Sequence, residues 1–161
     1  MPPAPAVTDG SGQTSSTLTS TKAETKTVSA TINGVAITPT QTVTVTPAPD
    51  AVLVFATQPT NTAANAPITP AVVVEVRDTH NNRTGSSASV TMAIGSGPGT
   101  LAGTLSQTAS AGAASFGDLS INTIANGYTL SASALGLTGA TSSTFNITTP
   151  QPSATNSTVS A

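Results

Sequence analysis

His80 and Asp78 stand two positions apart in DTHNN (78–82), and acid–base chemistry would first be sought there. His80 is the only histidine and serines are plentiful, so a Ser-His-Asp arrangement is available in principle. Such a triad needs the acid on one side of the imidazole and the serine on the other. A carboxylate two positions away in a solvated hairpin is poorly placed for that, and His80 reads as a solvated loop residue. The six acids are Asp9, Glu24, Asp50, Glu75, Asp78 and Asp118. No two of them form an inward-facing pair suited to general acid–base work. Cysteine is absent, which removes thiolate chemistry and disulfides together. The expectation is a non-enzymatic chain with no catalytic residues and no cofactor.

Metal binding fares similarly. Asp9-Gly10-Ser11-Gly12 and Asp78 with Asn81-Asn82 each look like part of an oxygen-rich calcium loop. Calcium takes six to eight oxygens and usually several carboxylates, whereas each loop offers one. Turns closed by Asx hydrogen bonds explain both stretches, and no metal site is expected. Asn82-Arg83-Thr84, Asn146-Ile147-Thr148 and Asn156-Ser157-Thr158 fit the glycosylation triplet. In a chain with about a third of its residues Ser or Thr, they read as incidental. Tyr128, after Asn126-Gly127, has two readings. It is either a corner tyrosine whose hydroxyl bonds back to nearby backbone, or a partly buried aromatic with a wet hydroxyl.

These residues must be carried by strands. Charged residues make up 6% of the 161 and aromatics 2%, so polarity rests on hydroxyls. Thr and Val at this density disfavour helix, because β-branched side chains lose rotamer freedom against a helical turn. The net charge of −2, with four Lys and Arg in all, argues against nucleic acid, which requires clustered cations. No apolar run approaches the ~20 residues of a membrane span, so no membrane contact is expected of this segment. The start, MPPAPAVTDG, lacks the basic and apolar regions of a signal peptide.

Alternation with period two is the clearest pattern. In ITPAVVVEVRD, Val72, Val74 and Val76 share one face while Val73, Glu75 and Arg77 share the other. Val90, Met92 and Ile94 alternate with Thr91 and Ala93. Tyr128, Leu130, Ala132 and Ala134 alternate with Thr129, Ser131 and Ser133. VLVFAT (52–57), GAASFGDLSI (112–121) and TSSTFNI (141–147) complete six or seven strands, separated by DTHNN, GSGPGT (95–100) and ANG (125–127). Such spacing without helical crossovers reads as an antiparallel sandwich.

The chain also repeats itself. GQTSSTLTSTKAETKTVSATINGVAITPTQTVTVTP (12–47) aligns under GAASFGDLSINTIANGYTLSASALGLTGATSSTFNITTP (112–150). Val28, Ala30 and Ile32 match Leu130, Ala132 and Ala134, and Val43 and Val45 match Phe145 and Ile147. The expected organisation is the last three strands of one repeat (1–47), a linker (48–50), a complete repeat (51–148) and a Pro/Ser/Thr-rich tail (149–161). A repeat of this size is an independently folding bead rather than a solenoid unit.

Asp9, Gly12, Leu18 to Ala23 and the following VSATINGV resemble the second half of a bacterial immunoglobulin-like domain of the invasin and intimin type. VLVFATQPTNTAANAPITPAVVVEVRDTHNN through GYTLSASALGLTGATSSTFNI is similar to a tandem immunoglobulin-like repeat of large bacterial surface proteins. The resemblance implies an all-β, immunoglobulin-like sandwich preceded by the C-terminal half of another. It implies a spacer or stalk in an extracellular adhesin or surface fibre, with neighbouring repeats as partners. Junction calcium occurs in some such arrays, which puts Asp50 in view. The rival expectations are a module whose loops, 78–87 and 95–111, recognise carbohydrate or a host protein, and an accessory domain of a secreted enzyme or phage structural protein.

Overall fold

The computed structural model describes residues 7–151, and among these there are strands and turns but no helix. The chain divides into two compact units between Thr46 and Pro47.

The first unit holds β1 (Thr25–Val28), β2 (Thr31–Ile32), β3 (Val35–Ala36) and β4 (Gln41–Thr44). β1 and β4 pair antiparallel from Thr25↔Thr44 to Val28↔Gln41. β2 and β3 form a two-residue hairpin around Asn33-Gly34, both at positive φ. Asn-Gly is the sequence that such a turn favours, because both central residues must be left-handed. Residues 13–20, expected to hold the first of three strands, form no ladder. Their counterparts 113–116 are held as a strand by pairing with 72–75. The described residues of the first unit supply no such partner, and an extended segment without a ladder leaves its amides to water.

The second unit holds β5 (Val52–Thr57), β6 (Thr62–Ala63), β7 (Val72–Arg77), β8 (Ser89–Ser96), β9 (Leu101–Ala102), β10 (Ser106–Thr108), β11 (Ala113–Phe116), β12 (Ser120–Ile121), β13 (Ala125–Ser133), β14 (Ala140–Thr141) and β15 (Phe145–Thr148). One sheet runs β10-β8-β13-β15-β6, with β14 also on β13, and a second runs β11-β7-β5. β12 and β9 make a small separate ladder. The alternation expected of β7 is met along its length, with Val72, Val74 and Val76 buried and Val73, Glu75 and Arg77 half-buried. On β13, Tyr128, Leu130 and Ala132 point inward. Phe55, Phe116 and the three β7 valines from one sheet join Val90, Met92, Tyr128, Leu130, Phe145 and Ile147 from the other in a single buried cluster. The unit is thus a sandwich-like all-β body.

Three expected elements come out differently. GAASFGDLSI is two strands, because the chain leaves β7 after Phe116 and reaches β9 from Ser120. Between them the Asp118 carboxylate accepts from the Thr104 N–H at 2.9 Å and the Thr104 hydroxyl at 2.7 Å. TSSTFNI is interrupted at 142–144, where buried Ser142 accepts from the Leu130 N–H and donates to the Ser143 carbonyl. ANG is a bulge inside β13 rather than a turn before it. Gly127 sits there at φ +76, and its N–H is taken by Asn146 Oδ1 at 3.0 Å.

The two units carry the same hairpin in different surroundings. Lys26 pairs with Val43 and Tyr128 pairs with Phe145, each separated from its counterpart by the same interval. Leu130 is fully buried, whereas its counterpart Val28 is 40% exposed. Truncating Leu130 to Ala should therefore lower the unfolding free energy of the full chain by about 2–5 kcal/mol. Val28→Ala should stay within about 0.5 kcal/mol of the parent. Urea titrations of the two variants check this, and equal losses would mean that the Val28 face is covered.

Candidate functional site

Asp78 directly follows β7 and is 1% exposed, the one carboxylate among the buried residues described. Its side chain organises the turn that follows. Oδ1 accepts from the N–H groups of His80 and Asn82, each at 2.9 Å. Oδ2 accepts from Asn82 Nδ2 at 2.8 Å and from the Ala48 N–H at 2.9 Å. The Asp78 N–H closes the loop onto the Asn82 carbonyl, and Asn81 supplies the left-handed residue at φ 67. Asn tolerates that conformation better than a β-branched residue does. Burial pushes the Asp78 carboxyl up, but donation from Asn82, Ala48 and His80 outweighs it and holds the pKa at about 2.

This arrangement decides what the pair Asp78 and His80 can do. The carboxylate bonds the His80 backbone, while the His80 ring lies outside with Nδ1 3.4 Å from the Thr79 hydroxyl. The oxygens that would orient an imidazole or bind calcium are engaged by N–H donors. Asp9 is built alike, with Oδ1 accepting from the Ser11 and Gln13 N–H groups at 2.9 Å each. Both stretches are Asx-closed turns. Asp50 is exposed. Among the described residues, no three His, Asp or Glu side chains converge where they could hold a metal ion.

Glu24 lies between Lys22 and Lys26 and bonds both ammonium groups, which hold its carboxyl at about 2. Glu75 receives the Arg77 guanidinium at 2.7 Å and 3.0 Å, with Arg83 at 3.5 Å. Arg83 also donates from Nε to the Ala111 carbonyl at 2.8 Å. The four cations are thus each paired with a carboxylate, Lys22 and Lys26 with Glu24 and Arg77 and Arg83 with Glu75. Of the glycosylation triplets, Asn82 and Asn146 are half-buried with their amides engaged in the Asp78 turn and the β13 bulge. Asn156 lies outside the described residues.

Tyr128 is fully buried, and its ring is tilted against Phe145 at 5.8 Å. Its hydroxyl donates back to the Thr123 carbonyl at 2.7 Å, with the Pro98 carbonyl a second acceptor at 2.9 Å. One phenol therefore joins the start of β13 to the GSGPGT loop. The loop must lie close for that. A Cβ at Gly97, whose φ is +111, would fall 2.3 Å from the Tyr128 ring.

Sequence reasoning did not find the Ala48 contact or the Ser142 and Gln58 bonds. Gln58 Oε1 accepts from the Ser143 N–H at 2.9 Å across 85 positions. No local signal marks such pairings; the Gln58-Pro59 motif is the nearest thing to one.

Two outcomes follow. Tyr128→Phe removes the hydroxyl that bonds the part-buried Thr123 and Pro98 carbonyls and should cost about 0.5–1.5 kcal/mol in thermal or urea unfolding. Asp78 has a folded pKa below its unfolded value of about 3.9. Its contribution is therefore complete above about pH 4 and disappears as pH falls toward 2. Asp78→Asn should be less stable at pH 7 and show a flatter stability profile between pH 4 and 2. A parallel acid branch in both proteins would remove Asp78 from the account.

No protein-family model and no curated protein matches the chain.

Proposed function

We propose that the chain is a structural spacer from a bacterial extracellular adhesin or surface fibre, built of immunoglobulin-like repeats and acting as a mechanical link. The observation that carries this reading is the ladder joining β6, which follows β5 near the start of the second unit, to the unit's last strand, β15. β6 and β15 pair parallel, Ile147↔Thr62 and Thr148↔Ala63, and the Ala64 N–H donates to the Thr148 carbonyl at 2.9 Å. Tension drawing the two ends apart reaches β6 through β5, and pulls β6 backward and β15 forward along a common axis. The hydrogen bonds then lie across the load and must break together, which is a shear geometry.

Three further features support the reading. The sheet orders β5-β7-β11 and β6-β15-β13-β8-β10 fit an immunoglobulin-like sandwich whose first strand is shared between sheets. Tyr128 lies at the corner where such sandwiches place a tyrosine. The outward faces carry hydroxyl ladders such as Ser89, Thr91 and Ser106, which are wetted without charge.

Single-molecule extension through the two ends of the chain tests the proposal. A single cooperative rupture with the contour length of the second unit is expected. Ala64→Pro, which removes the N–H donated to Thr148, should lower the rupture force sharply. Its equilibrium cost should be about 1 kcal/mol, the worth of one such bond. Rupture at negligible force would defeat the link reading. Ligand capture abolished by replacing loops 78–87 or 95–111 would favour a binding module instead.

A further inference from the structure

We propose that the edge of β1 left unpaired among the described residues accepts an antiparallel strand from another repeat of the same kind. The incoming strand would be uncharged, with apolar side chains of Val, Met and Ile size at alternate positions. The second unit shows what this edge fits. There, β13 has β15 on one side and β8 on the other, with Leu130↔Ile94 and Ala132↔Met92 in register. β1 is the counterpart of β13 and has β4 in the place of β15. Among the described residues, no strand occupies the place of β8.

The side chains agree with the backbone. Alternation puts Lys26, Val28, Gln41 and Val43 on one face of the β1–β4 hairpin and Thr25, Thr27, Thr42 and Thr44 on the other. The first face is the one that β13 and β15 bury, and here Val28 and Val43 are 40% and 44% exposed. Lys26 bonds Glu24, which it shares with Lys22, so the charge at the start of this edge is offset only in part, and Thr27 to Ala30 carry none. A β8-type strand would set an Ile opposite Val28 and a Met opposite Ala30. It would also raise a two-stranded ribbon to three strands, the number from which a sheet becomes stable on its own. Strand addition to an open edge gains affinity from main-chain hydrogen bonds and specificity from alternate side chains.

The inference rests on the repeat reading and is independent of whether the chain bears load. Its test uses the full chain and a labelled peptide of residues 88–96, ASVTMAIGS. Binding is followed by fluorescence anisotropy and located by amide hydrogen exchange. Expected are saturable binding and slowed exchange at residues 25–32. Val28→Asp should weaken binding at least tenfold, and a peptide with Ser at the Val90, Met92 and Ile94 positions should not bind. Absence of binding overturns the proposal, as does binding indifferent to Val28→Asp. Protection confined to residues 89–133 overturns it too, because the peptide would then be exchanging with β8. A dimer of the chain that protects residues 25–32, leaves β8 in its own sheet and resists the peptide pairs β1 edge to edge with its copy and also overturns it. The extension experiment reads the rupture of the second unit, and the peptide experiment reads residues 25–32, so either proposal can fail without the other.

Discussion

A strand with one apolar face holds its place only while something covers that face, and among the described residues the requirement is met in the second unit and not in the first. In the second unit the β7 valines lie in one cluster with Tyr128, Leu130 and Phe145, so each sheet supplies the other's cover. With so few aromatics, the cover comes from close packing of Val, Leu, Ile and Ala. Such packing is sensitive to the loss of even a methylene. The polar devices at the margins depend on that cluster. Asp78 can gather four N–H donors because β7 ends in a fixed position, and Tyr128 can reach two carbonyls because its ring is clamped.

The same requirement explains the first unit. β1 and β4 repeat the pairing of β13 and β15, which shows that the local preference for that hairpin is written into the sequence. The Thr-rich face of the hairpin tolerates water, while the Val28 and Val43 face gains nothing from it. A ribbon of two strands buries too little to offset the entropy of ordering its backbone.

Much of the architecture is legible in the sequence because period-two alternation is local. β7, β8 and the inner half of β13 follow directly from Val72–Arg77, Val90–Ile94 and Tyr128–Ala134. The Asp78 turn is equally legible, since Asp, Asn and Asn within five residues fit an Asx-closed loop. The breaks in GAASFGDLSI and TSSTFNI are not. They arise where a strand leaves one partner for another, and the agents are Asp118 with Thr104 and Ser142 with Leu130, pairs remote in sequence. The Asn126-Gly127 bulge was open to misreading because glycine punctuates turns and bulges alike. At the Asp78 turn, the bond from Ala48, thirty residues upstream, has no sequence mark at all.

The burial of Tyr128 has one more consequence, and it is optical. The chain contains one tyrosine and no tryptophan. Its near-ultraviolet absorbance and intrinsic emission therefore arise almost wholly from a ring buried beside Phe145 and Gly97. Whatever happens in residues 7–46 is dark in that band. The protein carries a built-in reporter that sees the second unit alone, so its signal and a far-ultraviolet measurement of strand content can separate the two units without any label.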